Sequence, residues 1–341
     1  MRFLLLSLIV GLFVSCTGNR KLFQAARDGD ESRIKAYLAE NKDVNVKDDS
    51  ETTMLIYAAG HGNKEIVSIL LDAGTDVNAS NKDKRTALMM AANFGHTEIA
   101  KLLIAKGADV NLRDNVGWDA LMVSILRYQG DIAKEIMKKK PNLKHQNTEG
   151  QSALILAIVH QFSEIVPSLL KSGAEVNQTD IFGETALIKA VARNDIDGIK
   201  LLVKAKADLK ASSKDGKTVV MMAAKKGQTD VLKVLYEARA DFNAQDSNGF
   251  TALMWAVNMG SVSVLKSLLD YNANPNIQDK SGQTVLMRAA EQGNQEMVSL
   301  ILNKRPNLKL KDNQGKTALA VALSASQGEI AELMRRAGAK E

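Results

Sequence analysis

The chain is poor in most of the residues from which catalytic and metal sites are made. It has one cysteine, Cys16, so no second thiol is present to pair with it and no cysteine pair to bind a metal. There are four histidines, His61, His96, His145 and His160, and none lies near a cysteine pair. No Gly-rich phosphate loop and no nucleophile–base pairing stands out, which argues against an enzyme. Aromatic residues make up 4% of the chain against 45% hydrophobic residues overall, so the core is expected to be Leu, Ile, Val, Met and Ala. After residue 15 no segment is long and apolar enough to cross a bilayer. The formal charge is only +6, and no RNA- or DNA-binding motif accompanies it, so nucleic acid is not the expected partner.

What is present is a repeat. "TALMMAA" at Thr86 returns as "TALMWAV" at Thr251, and variants recur every 33 residues, at Thr53, Asp119, Ser152, Thr185, Thr218, Thr284 and Thr317. One period before Thr53, "KLFQAARDG" is in register with "MLIYAAGHG", giving ten units across residues 20–341. Within a unit, Ser, Thr or Asp stands where an N-cap would satisfy a free backbone N–H. Two residues on comes an apolar side chain (Leu22, Leu55, Leu88 and their equivalents), and five residues on a small one (Ala25, Ala58, Ala91, then Ser124). A small residue in each copy allows neighbouring helices to approach closely. Ile99, Leu102 and Leu103 fall on one face of a second helix, and Gly107 suits its end. Asp114 and Gly117 then suit a tight reversal. His61 and His160 occupy equivalent places three units apart, too far to share a metal.

This pattern resembles the ankyrin repeat family, over nearly the whole chain. The resemblance implies an all-α solenoid of helix-turn-helix units with β-turn tips, each unit contacting mainly its neighbours. It departs from the family's common Thr-Pro-Leu-His opening. The His position holds Ile56, Met89, Met122, Ile155, Ile188, Met221, Met254 or Met287, so a polar tie back to the turn is exchanged for apolar packing. The units starting at 119, 152 and 185 are the least regular: Tyr128, Gln161 and Asn194 replace a helix-end glycine, and Lys140 with Pro141 replaces Gly-Ala. Pro167 falls inside the second helix of the unit starting at 152, where a lost hydrogen bond predicts a kink and easier local opening.

The first residues follow another logic. Met1 and Arg2 precede an apolar run from Phe3 to Val14, right for a signal-peptide core and too short for a span. "Leu-Phe-Val-Ser-Cys" resembles a bacterial lipobox, with Phe13 where Leu is usual. It implies cleavage after residue 15, lipid attachment at Cys16, a linker over 16–19, and a periplasm-facing array held in the bacterial cell envelope. An ordinary secretory signal with a chance cysteine is one alternative, and an uncleaved anchor, which the short core disfavours, is another.

In the family, turn tips and the inner face of the first helix contact partners. By offset, the tips here give Arg85, Trp118, Phe182, Lys217 and Phe250. The helix face gives Tyr57, Lys189, Trp255 and Arg288, and one turn later His61, Phe94, Arg127, Arg193, Lys225, Lys226 and Met259. Both tryptophans belong to this set, and aromatic rings alternate with Arg and Lys as in interface anchors. Packing of these rings on the core edge or a neighbouring turn is the structural alternative. The expectation is a non-enzymatic, membrane-tethered scaffold binding a protein through its concave groove, without cofactor, metal, nucleic acid or small-molecule substrate. The basic excess leaves an acidic protein or anionic lipid open as what it faces. An exported effector acting on a foreign or host protein, or an envelope-bridging structural protein, are the alternatives.

Overall fold

A computed structural model describes residues 19–340, so the signal segment and Cys16 lie outside the described residues. The chain forms two compact units, one ending at Glu175 and one beginning at Val176. Each is built from the same helix pair, laid down repeatedly in two layers.

In the first unit the first helices are α1 (19–28), α3 (Met54–His61), α5 (Ala87–Phe94), α7 (Ala120–Leu126) and α9 (Ala153–Val159). Its second helices are α2 (Glu31–Ala39), α4 (Lys64–Asp72), α6 (Thr97–Ala105), α8 (Gly130–Lys138) and α10 (Val166–Lys171). In the second unit the first helices are α11 (Ala186–Arg193), α13 (Val219–Lys225), α15 (Ala252–Asn258), α17 (Val285–Glu291) and α19 (Ala318–Ser324). The second helices there are α12 (Ile196–Lys204), α14 (Thr229–Glu237), α16 (Val262–Asp270), α18 (Gln295–Leu302) and α20 (Gly328–Arg336). First helices pack on first helices, as α3 on α5 and α13 on α15, and second on second, as α4 on α6 and α14 on α16. This is the all-helical architecture the repeat implied.

The sequence dictates each helix start. From Thr53 to Thr317 the N-cap oxygen accepts the N–H three residues on, at 3.3 Å in Thr53 to Ile56 and 2.9 Å in Asp119 to Met122. The apolar residue at the next but one position and the small residue at the fifth are buried throughout: Leu55 and Leu187 are 1% and 0% exposed, and Ala58, Ser124 and Ala256 are 0%. The residues replacing the family's His are buried with them, Ile56 at 2% and Met122 at 1%.

Backbones with positive φ fall at three places in the repeat and nowhere else among the described residues. One follows the first helix, one follows the second, and one closes the turn before the next N-cap. Glycine occupies many of them, and at Gly249 it is required twice over: φ is +80°, and a Cβ there would lie 2.8 Å from the backbone nitrogen of Lys280 in the next turn. Tyr128, Gln161, Asn194 and Lys140 hold the same left-handed conformation, with φ of 57°, 54°, 57° and 52°. The irregular units therefore keep the fold's geometry and carry its backbone cost in residues with a Cβ.

Pro167 does not kink a helix. It stands in the first turn of α10, where a missing N–H leaves no bond unmade. The helix starts later instead, and α10 has 6 residues where α8 has 9. Residues 163–165 form a turn, with the N–H of Val166 bonded to the carbonyl of Ser163 at 3.3 Å.

Successive repeats are stitched by the Asn of the "ADVN" segment. The Oδ1 of Asn45 accepts from the N–H of Asp76 at 2.8 Å, Asn78 from Asp109 at 2.8 Å, Asn111 from Asn142 at 2.7 Å, and in the second unit Asn243 from Asn274 at 2.8 Å. Each bond reaches 31 residues ahead. Where Lys144 takes this place, its ammonium pairs with Glu175 at 2.9 Å.

Gln161 is exposed and holds φ of 54°. Gln161→Gly is expected to stabilise the chain by about 0.5–1 kcal/mol, the left-handed strain of a Cβ less the entropy glycine adds to the unfolded state. Denaturant unfolding of the two proteins measures it.

Candidate protein-interaction face

The turn that precedes each first helix is organised by one carboxylate or its substitute. In Asp48, Asp180, Asp246 and Asp279, Oδ1 accepts the backbone N–H groups two and four residues on. Oδ2 is then free to receive a side chain from the helix, nine residues ahead. Tyr57 Oη donates to Asp48 at 2.5 Å, Lys189 Nζ pairs with Asp180 at 2.7 Å, Trp255 Nε1 donates to Asp246 at 3.0 Å, and the Arg288 guanidinium pairs with Asp279. The polar tie that the family makes from its His is made here one residue later. Where the helix position is apolar, as at Met90, Leu156 and Met222, the turn position is Asn81, Asn147 or Ser213. Asp114, facing Val123 in its own unit, has Arg85 at 3.9 Å instead.

Burial of Asp48, Asp180 and Asp279 works against ionisation, and the donors around them outweigh it. Asp48, with Tyr57 and the N–H groups of Ser50 and Thr52, is held below the ordinary carboxylate value, and so is Asp180 beside Lys189. Desolvation of Asp279 is likewise overcome by Ser281 and Arg288. Tyr57 is raised, first by burial and then by its bond to Asp48.

In the first unit four of the expected contact residues converge. Arg85, Phe94, Trp118 and Arg127 line a depression of about 400 Å³ whose apolar floor includes Met89, Met90, Val123 and Leu126. Phe94 is 54% exposed, and Val116 at the tip is 45% exposed. Arg127 Nε donates to Asn93 Oδ1 at 2.9 Å, which fixes the guanidinium at the edge. Tyr57 and His61 sit apart from this group. Tyr57 packs on Phe23 at 5.7 Å beneath the Arg27 guanidinium at 4.2 Å, and His61 Nδ1 lies 2.9 Å from the carbonyl of Tyr57.

In the second unit the expected residues form a run of rings and cations. Lys189 and Lys214 lie 5.6 and 5.9 Å from the Phe182 ring, and Lys217 and Lys225 lie 5.0 and 5.1 Å from Trp255. Phe250 meets Trp255 edge to face at 5.7 Å and carries the Arg288 guanidinium at 4.1 Å. Phe182 stands three residues before its N-cap, at the tip itself, whereas Phe250 directly precedes one. Arg193, Lys225, Lys226 and Met259 are exposed at the ends of their helices, and Lys226 Nζ donates to the carbonyl of Ala192 at 2.7 Å.

The offsets, read one at a time, give no sign of the internal ties among these residues. Their signal lies in paired positions: Asn81, Asn147 and Ser213 stand opposite Met90, Leu156 and Met222, although Asp114 and Asp312 are kept opposite Val123 and Val321. The offsets also missed a ring cluster at the ends of two second helices, where Tyr236 and Tyr271 stack at 4.3 Å against Phe242 of the following loop. Of the histidines, His96 caps the approach of two units, its Nε2 3.2 Å from the carbonyl of Gly60, and His145 Nδ1 lies 3.1 Å from the N-cap carboxylate of Asp119. Among the described residues no group of three His, Cys, Asp or Glu is placed to hold a metal.

The family profile described as ankyrin repeats (3 copies) matches residues 22–114, 106–180, 162–246, 187–279 and 253–340, and the chain belongs to that family. Such repeats make it a protein–protein interaction scaffold, and no enzyme family is indicated. No curated protein matches the chain. Among solved structures it is similar to the ankyrin repeat domain of Bcl-3, described as a unique member of the IkappaB protein family. The identity is 25% and the TM-score 0.60, over 63% of this chain and 97% of that one. Matches to solved chains number 586, so the likeness identifies a widely used scaffold and not a partner.

Arg288→Leu leaves the Asp279 carboxylate, 1% exposed, without its cation. At pH 7 the loss is expected to be about 1.5–3 kcal/mol, as for a hydrogen bond to a charged group. Because the folded carboxyl sits below its unfolded value, its contribution is present above about pH 4 and is lost as the pH falls through the lowered folded value. Urea unfolding as a function of pH should show wild type and variant converging in acid and separated at neutrality.

Proposed function

We propose that this chain is a membrane-tethered scaffold that holds one partner protein against its turn tips and first helices, without turnover. The reading of tethering comes from the apolar run Phe3 to Val14 followed by Cys16, which would be the lipid-bearing N-terminus of a protein in the bacterial envelope, facing the periplasm. No helix of the described residues is long and apolar enough to cross a membrane.

The observation that carries the binding function is the depression of the first unit. An exposed Phe94 and a half-buried Trp118 stand over methionine and leucine side chains, between Arg85 and Arg127. Aromatic and arginine anchors around a pre-formed apolar floor are what interface hot spots are made of. The surface is built on capped helices, so little ordering entropy opposes association.

The clean variant is Trp118→Ala. In the second unit Trp255→Ala would also remove the bond to Asp246, so a loss of binding there would be mixed with a loss of stability. A photo-crosslinker at Phe94 in cells is expected to capture one stoichiometric protein from detergent extract. Trp118→Ala should weaken that complex by at least about thirtyfold, with a helical melt close to wild type. Cys16→Ser should move the chain out of the membrane fraction. Capture unaffected by Trp118→Ala would overturn the binding site, and unchanged fractionation would overturn the anchor.

A further inference from the structure

The face of the second unit carries exposed cations that no carboxylate of the described residues neutralises. Its turn carboxylates from Asp180 to Asp279 are already used: Asp180 and Glu184 by Lys189, Asp215 by Lys217, Asp246 by Trp255 and backbone N–H groups, Asp279 by Arg288. Among the described residues no carboxylate pairs with Arg193, Lys214, Lys225 or Lys226, and all four are exposed. Two of them are held in place without a counter-ion, Lys214 near the Phe182 ring and Lys225 over the indole of Trp255. The positive run ends at Glu291, which occupies in its helix the place Lys225 has in its own.

We propose that this face, from Phe182 to Trp255, docks an acidic segment of the partner protein in which carboxylates are interspersed with apolar side chains. The inference rests on the scaffold reading above and adds the chemistry of what the scaffold holds. Cations that already sit on rings create places where an incoming carboxylate meets a lysine while the next side chain of the same segment covers the ring. A carboxylate arriving here gains a partner without displacing one. A nucleic-acid strand fits less well. Its charge is continuous along the backbone, whereas the cations here alternate with the carboxylates of Glu184 and Asp215. The first unit's depression, with its methionine floor, offers no comparable row of free cations.

The chain holds two tryptophans, so in a Trp118→Phe background the remaining emission belongs to Trp255 and reports on this face alone. The full chain in detergent would be titrated with a labelled peptide alternating Glu and Phe, with its Lys-and-Phe counterpart, with single-stranded DNA, and with anionic phospholipid vesicles. The Glu peptide is expected to shift Trp255 emission, to bind more weakly as salt rises, and to lose roughly tenfold or more in affinity in Arg193→Glu/Lys214→Glu/Lys225→Glu. Lys214→Gln/Lys225→Gln, which removes charge without adding repulsion, is expected to lose less. Equal binding of the Lys peptide, unchanged affinity in the triple variant, or preferential binding of DNA or vesicles would overturn the proposal. A partner captured at Phe94 whose segment on this face is not acidic would overturn it too, while leaving the scaffold reading intact.

Discussion

Neighbouring first helices meet through a side chain that is a single methyl group in nine repeats and the hydroxymethyl of Ser124 in the other, each at most 1% exposed. Every other feature depends on that approach. It sets the repeat-to-repeat spacing, and this spacing lets one Asn oxygen reach the N–H 31 residues ahead and lets a turn lie directly against the next. A larger residue would have to push the helices apart, because a packed interior has no spare volume. The left-handed residues serve the same constraint. They reverse the chain within one or two residues, so that two helices and a turn fit into a 33-residue period.

On this frame the exposed face is assembled by turn carboxylates. One oxygen closes the turn on backbone N–H groups, and the other aims a Tyr, Lys, Trp or Arg outward from the helix. The side chains best suited to meet a partner are therefore held before it arrives. The same ties occupy Asp180, Asp246 and Asp279 in the second unit, while Arg193, Lys214, Lys225 and Lys226 stay exposed. The family's fold supplies the scaffold, and the individual character of this chain lies in which repeats carry a donor and which carry an apolar residue.

Much of this was legible in the residue order. The period, the N-caps from Thr53 to Thr317, the buried alanines and the glycines that follow many of the helices follow from spacing alone. Tyr128, Gln161 and Asn194 were recognisable as departures, although their shared left-handed backbone was not, since it is imposed by the neighbouring repeats. Pro167 was misread because the effect of a proline depends on where its helix begins, and here the start moved to accommodate it. The offsets grouped Trp118 with Arg127, but that Arg85 and Phe94 join them depends on packing between repeats, and the bonds that aim Trp255 and Arg288 appear only when two positions of the repeat are read together. The Tyr236–Tyr271 stack had no signal of this kind, because the two residues occupy different offsets in their units.

The most direct measurement is the unfolding free energy of Ala256→Leu, set beside that of Ala192→Leu. Both alanines lie on first helices, one 0% exposed between helices and the other exposed. If close approach through the small residue sustains the structure, Ala256→Leu loses about 1–3 kcal/mol or more by overpacking, and Ala192→Leu stays within about 0.5 kcal/mol of wild type. Equal stability of the two variants would contradict the account.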